Sequence, residues 1–128
     1  MEDHSANCTI LEGYSCPVEA TIDIIGGKWK SIILFHLIDE KKRFNELRRL
    51  IPTVTQRMLT LQLRELERDG IVHRKIYKQV PPKVEYSLTD FGETLVPIIN
   101  QMMNWGKVHA STINNIRKKS AAEKVQYD

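Results

Sequence analysis

Two sets of residues have types and spacing suited to chemistry. The first is Gln56, Arg57, Thr60 and Arg64. A guanidinium can make paired hydrogen bonds to the edge of guanine, and a carboxamide can do the same with adenine. Hydroxyls and further guanidiniums bind phosphate. The second set is a single residue, Cys16, followed directly by Pro17. Proline favours the first position of a helix, which makes Cys16 the expected N-cap. A thiol there faces unpaired N–H groups and the positive end of the helix dipole, and both favour thiolate. Glu19, in the same turn, pushes the other way. Two readings of Cys16 stand: a reactive thiol, and a reduced cysteine packed at a helix start.

Other chemistries find little here. Cys8 and Cys16 match no zinc spacing, and the histidines at 4, 36, 73 and 109 are scattered. The Gly26–Trp29 run, GGKW, has a lysine and two glycines without the P-loop pattern. No nucleophile–base pair stands out. The expectation is a protein that is not an enzyme and holds no metal or cofactor. No run approaches the roughly 20 apolar residues of a membrane span. No secretion signal is visible, so a cytoplasmic location is expected.

The basic set needs a helix to present it. The stretch from Phe44 to Gly70 reads as two helices and a turn. The first spans Phe44 to Leu50 and is broken by Ile51, Pro52, Thr53 and Val54. The second runs from Thr55, the expected N-cap, to Asp69, and Gly70 stops it. Leu59, Leu63 and Leu66 share one face, while Arg57, Thr60, Arg64 and Arg68 lie mostly on the other. This is the layout of a helix-turn-helix. Thr53 and Thr55 are placed to touch a nucleic-acid backbone, as is Arg43.

Two alternating segments follow, 71–77 and 83–88, joined by a loop holding Pro81 and Pro82. They predict a hairpin, or wing, with Arg74, Lys75, Lys78 and Lys83 near its tip. The charge agrees. Residues 41–83 carry twelve Lys or Arg against four acids, a net +8, whereas residues 1–40 carry −5 and residues 84–128 balance. A segregated positive patch is the electrostatic footprint of a nucleic-acid reader.

The flanking elements complete the frame. Residues 1–15 predict a flexible arm. Gly26 and Gly27 end a first helix, and Lys28 to Ile38 forms an apolar core helix with Trp29 as a packing anchor and His36 as a satisfied or partly exposed histidine. Thr89 caps a last long helix carrying Leu95 to Trp105, whose apolar surface suits a partner subunit. Pro97 is expected to bend that helix and Gly106 to interrupt it. A further helical segment is expected over Val108 to Lys118, then a frayed tail. The domain reading is 1–15 arm, 16–107 winged helix-turn-helix, and 108–128 helical extension and tail. The fold class is mainly α with a small β-hairpin.

The chain resembles the HxlR-type transcriptional regulators, a winged-helix group related to MarR. The resemblance rests on Cys16-Pro17, GGKW at 26–29, RFNEL at 43–47, TQRMLTLQLRELERDGIV at 55–72 and VEYSLTDFGETL at 84–95. These cover about residues 16–107 in unbroken order. The resemblance implies a homodimeric regulator of double-stranded DNA that dimerises through its first and last helices. A repressor on a palindromic operator is the expected form. It also implies that a cysteine in the place of Cys16 senses oxidants or electrophiles in some members. Some of those pair it with a later cysteine, and this chain has none after Cys16. Direct modification, pairing with Cys8, and a Cys16–Cys16 bond across the dimer stay open. So do control by a small-molecule effector of unknown identity, a constitutive regulator, and a protein-interaction adaptor with a structural Cys16.

Overall fold

A computed structural model describes residues 13–127. Most of the expected arm, with His4 and Cys8, lies outside the described residues. The elements are α1 (Pro17–Ile25), α2 (Lys30–Leu37), β1 (Lys42–Arg43), α3 (Phe44–Leu50), α4 (Gln56–Arg68), β2 (Val72–Tyr77), β3 (Lys83–Leu88), α5 (Asp90–Glu93) and α6 (Val96–Tyr127). Residues up to Val96 form one compact unit, and Pro97 onward forms another. Each is described by itself.

In the first unit, the buried side chains come from every layer. Ile33, Leu34 and Leu37 of α2 are buried, as are Leu47 of α3 and Leu59, Leu63 and Leu66 of α4. Val72 and Tyr86 supply the sheet's share, with Ile71 just before β2. The leucines of α4 recur at helical spacing, so one stripe is buried and the opposite face is left to solvent. The sheet is antiparallel in the order β1-β3-β2. The hairpin pairs Val72 with Leu88 at its base and Tyr77 with Lys83 at its end. The stub β1 adds Lys42 opposite Tyr86 and Arg43 opposite Glu85. The central core helix is shorter than expected, beginning at Lys30. Trp29 is its half-buried N-cap, with the Lys28 ammonium 4.7 Å from the ring centroid.

Helix α4 is fastened at both ends. Thr55 caps it, its hydroxyl accepting from the Met58 N–H at 3.1 Å. At the other end the Ile71 N–H donates to the Leu66 carbonyl at 2.9 Å, and the Gly70 N–H to Glu67 at 3.0 Å. These two bonds form a Schellman motif. It requires a left-handed residue, and Gly70 has φ of 75°. The Thr89 hydroxyl then donates to the Gly70 carbonyl at 2.6 Å and accepts from the Gly92 N–H at 2.9 Å. The Thr89 N–H donates to the Ile71 carbonyl at 3.1 Å. A Cβ at Gly92 would collide with that same Ile71 oxygen.

The C-terminal region departs from expectation in three ways. Thr89 caps only the short α5, and a separate helix starts at Val96. Pro97 sits in the first turn of α6, where a missing N–H costs nothing, so it begins the helix rather than bending it. Gly106 does not interrupt α6, which continues through the expected tail to Tyr127, 32 residues in all. A single glycine costs only about 1 kcal/mol in a helix, too little to break one of this length.

Two glycine substitutions separate backbone strain from collision. Gly70→Ala meets no atom within 4 Å, so it should cost only the left-handed penalty, roughly 1–2 kcal/mol. Gly92→Ala must push α5 off Ile71 and should cost more. Denaturant unfolding at matched protein concentration checks the order. Equal losses would show that α5 backs away from Ile71 freely.

Candidate nucleic-acid interface

The outward face of α4 carries the basic set. Gln56, Arg57 and Arg64 are exposed and Thr60 is half-buried. Gln56, Arg57, Thr60, Leu61 and Arg64 line one recess on this face. The Thr60 hydroxyl donates back to the Gln56 carbonyl at 2.9 Å. Its proton is therefore engaged, and lone pairs remain for an incoming donor. The Thr55 hydroxyl accepts the cap hydrogen bond at the start of α4, which leaves its proton to donate. Thr53 is exposed in the turn before it. Arg48 of α3, not expected from sequence, reaches the Gln56 carboxamide oxygen at 3.5 Å, the outer limit of a hydrogen bond. Arg43 is exposed at the start of α3, where Glu46 accepts from its backbone N–H at 3.0 Å.

The wing cations separate into roles. Lys78 lies exposed in the connecting loop. Lys75 is exposed, with its ammonium 4.9 Å from the Tyr77 ring centroid, and Lys83 lies at the same distance from that ring. Arg74 and Lys75 stand mid-hairpin, opposite Tyr86 and Glu85, rather than near the tip. The Arg74 Nε is 3.0 Å from Glu67 of α4, so Arg74 ties the wing to the helix. Lys83 contacts Glu85 at 2.7 Å, and Lys41 reaches the same carboxylate at 3.4 Å.

Glu85 thus holds one wing cation, Lys83, together with Lys41, and is buried to 5% exposure. The Lys83 hydrogen bond lowers its pKa from the ordinary 4.5, burial opposes that, and Lys41 lowers it further. The net direction is down. A second buried charge lies beneath α4. Lys30 of α2 binds Glu65 at 2.7 Å, with side-chain exposures of 10% and 29%. Lys30 precedes Ile33, Leu34 and Leu37 at helical spacing, so the pattern places it on the buried stripe; its charge masked that. His36 is half-buried edge-on to Phe35, and burial and Lys42 lower its pKa. Among the described residues no cluster of His, Cys, Asp or Glu could hold a metal ion. None of their helices is long and apolar enough to cross a membrane.

Cys16 is the N-cap of α1 with Pro17 next, as expected, and its carbonyl accepts from the Glu19 N–H at 2.9 Å. The Glu19 carboxylate accepts from the Ser15 N–H at 3.0 Å and from the Ser15 hydroxyl. Tyr14 donates to Asp23 at 2.7 Å. The segment before Cys16 is therefore folded back along α1.

A capped helix with a basic outer face, preceded by a short helix and followed by a hairpin, is a winged helix-turn-helix. Residues 24–114 match the model of the HxlR-like helix-turn-helix family. The chain belongs to that family. It is 66% identical over 108 residues to the HTH-type transcriptional regulator YdeP of Bacillus subtilis (strain 168), covering 84% of each chain. Among solved structures it is similar to the redox regulator HypR in its oxidized form, with 71% identity and a TM-score of 0.71 over 73% of this chain and 96% of that one. The reduced form of HypR matches at 66% identity and a TM-score of 0.73, over 77% and 98%.

The Glu85 pKa direction makes a pH prediction. Its folded value is depressed, so its ionised form stabilises the fold above pH 4.5 and that contribution is lost as pH falls through the lower folded value. Unfolding of the native chain and of Glu85→Gln is compared below pH 4.5. The native chain should lose more stability with acid than the variant. Parallel curves would remove Glu85 from the acid response.

Proposed function

We propose that this transcriptional regulator is a cytoplasmic, homodimeric repressor that reads a palindromic site with α4 and yields to oxidants or electrophiles through Cys16. One observation carries the DNA reading: Gln56, Arg57, Thr60 and Arg64 share one exposed recess on a helix locked at both ends. Helix α4 enters the major groove, where Arg57 suits guanine and Gln56 adenine. Thr53, Thr55, Arg43, Lys75 and Lys78 bind phosphates, while Arg74 and Lys83 pair with Glu67 and Glu85 and hold the wing in place for them. The +8 segment argues against a mere protein adaptor. Two-fold symmetry sets half-sites roughly 10 base pairs apart, or a multiple. Dimerisation is supported by the exposed apolar residues Val18 and Ile22 of α1 and Met102, Trp105 and Val108 of α6.

The redox arm rests on the place of Cys16 at a helix N-terminus and on the likeness to HypR, whose two solved forms are named for oxidation state. A quinone would add to the thiolate. A peroxide would take two electrons from sulfur and leave a sulfenic acid, which can condense with a second thiol. A second reading, control by an apolar small molecule, draws on a recess along α6 lined by Pro97, Ile98, Gln101, Met102 and Trp105.

Two experiments test these roles. Arg57→Ala should cost about 1–3 kcal/mol of binding and relax preference at one base, whereas Lys75→Ala should weaken all sequences alike and make the salt slope shallower by about 1. An equal Arg57→Ala loss on every sequence would make Arg57 a phosphate contact, and an unchanged slope would place Lys75 off the DNA. For the switch, binding to genomic fragments is measured with and without a quinone or peroxide. The native chain should release DNA and Cys16→Ser should hold it. If both respond alike, Cys16 is structural.

A further inference from the structure

Leu61 is the odd residue on the outer face of α4. It is 47% exposed, yet it lies opposite the buried stripe of Leu59, Leu63 and Leu66. At helical spacing its neighbours are Arg57 one turn before and Arg64 one turn after, and it lines the same recess as both. A lone exposed leucine is ordinary on a protein surface. This one sits among the groups placed to meet a base edge, where a polar residue would serve solubility better. In the major groove the apolar feature a base pair offers is the C5-methyl of thymine. We infer that Leu61 packs on that methyl and makes the half-site specify thymine beside the base read by Arg57. The inference rests on the DNA-reading role proposed for α4 and adds a named base to it.

The contact is hydrophobic, so removing either methyl-bearing partner should have the same effect. Burying one methyl corresponds to about a fourfold change in affinity. Unmethylated synthetic duplexes with a random core are selected with the full chain, so thymine is the sole source of a C5-methyl. Each thymine of the selected duplex is then replaced singly by deoxyuridine, which deletes only that methyl. One thymine per half-site should show a loss of about fourfold with the native chain. Leu61→Ala should abolish that penalty, and Leu61→Met, which keeps an apolar side chain, should retain most of it. The exposure of Leu61 leaves folding out of the comparison, and unchanged thermal unfolding of both variants checks this. No deoxyuridine penalty at any thymine overturns the inference while leaving the DNA reading intact. So does a penalty that persists in Leu61→Ala, since another residue then reads the methyl. If no duplex is retained at low salt, the DNA reading itself falls, and this inference with it.

Discussion

The peptide at Ile71 fixes the geometry on which the reading surface depends. Its N–H closes the end of α4 on Leu66, and its carbonyl accepts from the Thr89 backbone. Between those bonds the chain turns from helix to strand. Thr89 stands nineteen residues after Gly70 and bonds its carbonyl as well. The beginning of the hairpin and its return are therefore held to one point. The close approach of α5, which leaves no room for a Cβ at Gly92, seals that point from the other side. A recognition helix and a wing can act as one surface only if the angle between them is constant. Here backbone hydrogen bonds set it, and these are shielded by the buried Leu66 and Ile71.

Charge is organised around the same frame. Acidic residues do not merely dilute the basic patch; they place its cations. Glu67 draws Arg74 across to α4, Glu85 holds Lys83 and Lys41, and Glu65 receives the buried Lys30. The cations left facing solvent on the reading side include Arg57, Arg64, Lys75 and Lys78. A net count over the segment treats every lysine as available to phosphate. The ion pairs show that several are instead engaged by carboxylates. A carboxylate buried among lysines stays ionised because its partners hydrogen-bond the charged form, which outweighs the burial opposing it.

Local signals made α3, α4 and the hairpin legible in the sequence. Thr55 and Gly70 are cap residues whose preference is intrinsic, and three leucines at helical spacing define a buried face without any tertiary information. Cys16-Pro17 marked the start of α1 for the same reason. What could not be read was decided by contacts between distant segments. Lys30 is buried because Glu65 awaits it. Arg74 reaches α4 because Glu67 stands on it, and nothing in the hairpin's own sequence says so. At the C-terminus the misreading had another cause. Pro97 and Gly106 are breakers by residue type, but a proline in the first turn loses no hydrogen bond, and one glycine is a small penalty against a helix of 32 residues. Leu61 was visible as a letter. Helical spacing sets it off the buried stripe, and the structure adds its exposure in one recess with Arg57 and Arg64.

The locked frame also constrains how control at Cys16 would operate. A modification shifts an equilibrium only by the difference in its interaction with two states. Within the first unit, α4 is tied at Thr55, at Ile71 and at Lys30, the last reaching it from α2, which follows α1 after Gly26 and Gly27. Internal rearrangement of α4 would have to break these bonds together. In the proposed dimer, a shift of one protomer against the other leaves these bonds within each chain intact. On the proposed reading, sulfur chemistry at the start of α1 therefore acts by favouring one spacing of the two recognition helices over another. Half-sites at a fixed separation on DNA are sensitive to that quantity, because both helices must enter their grooves at once.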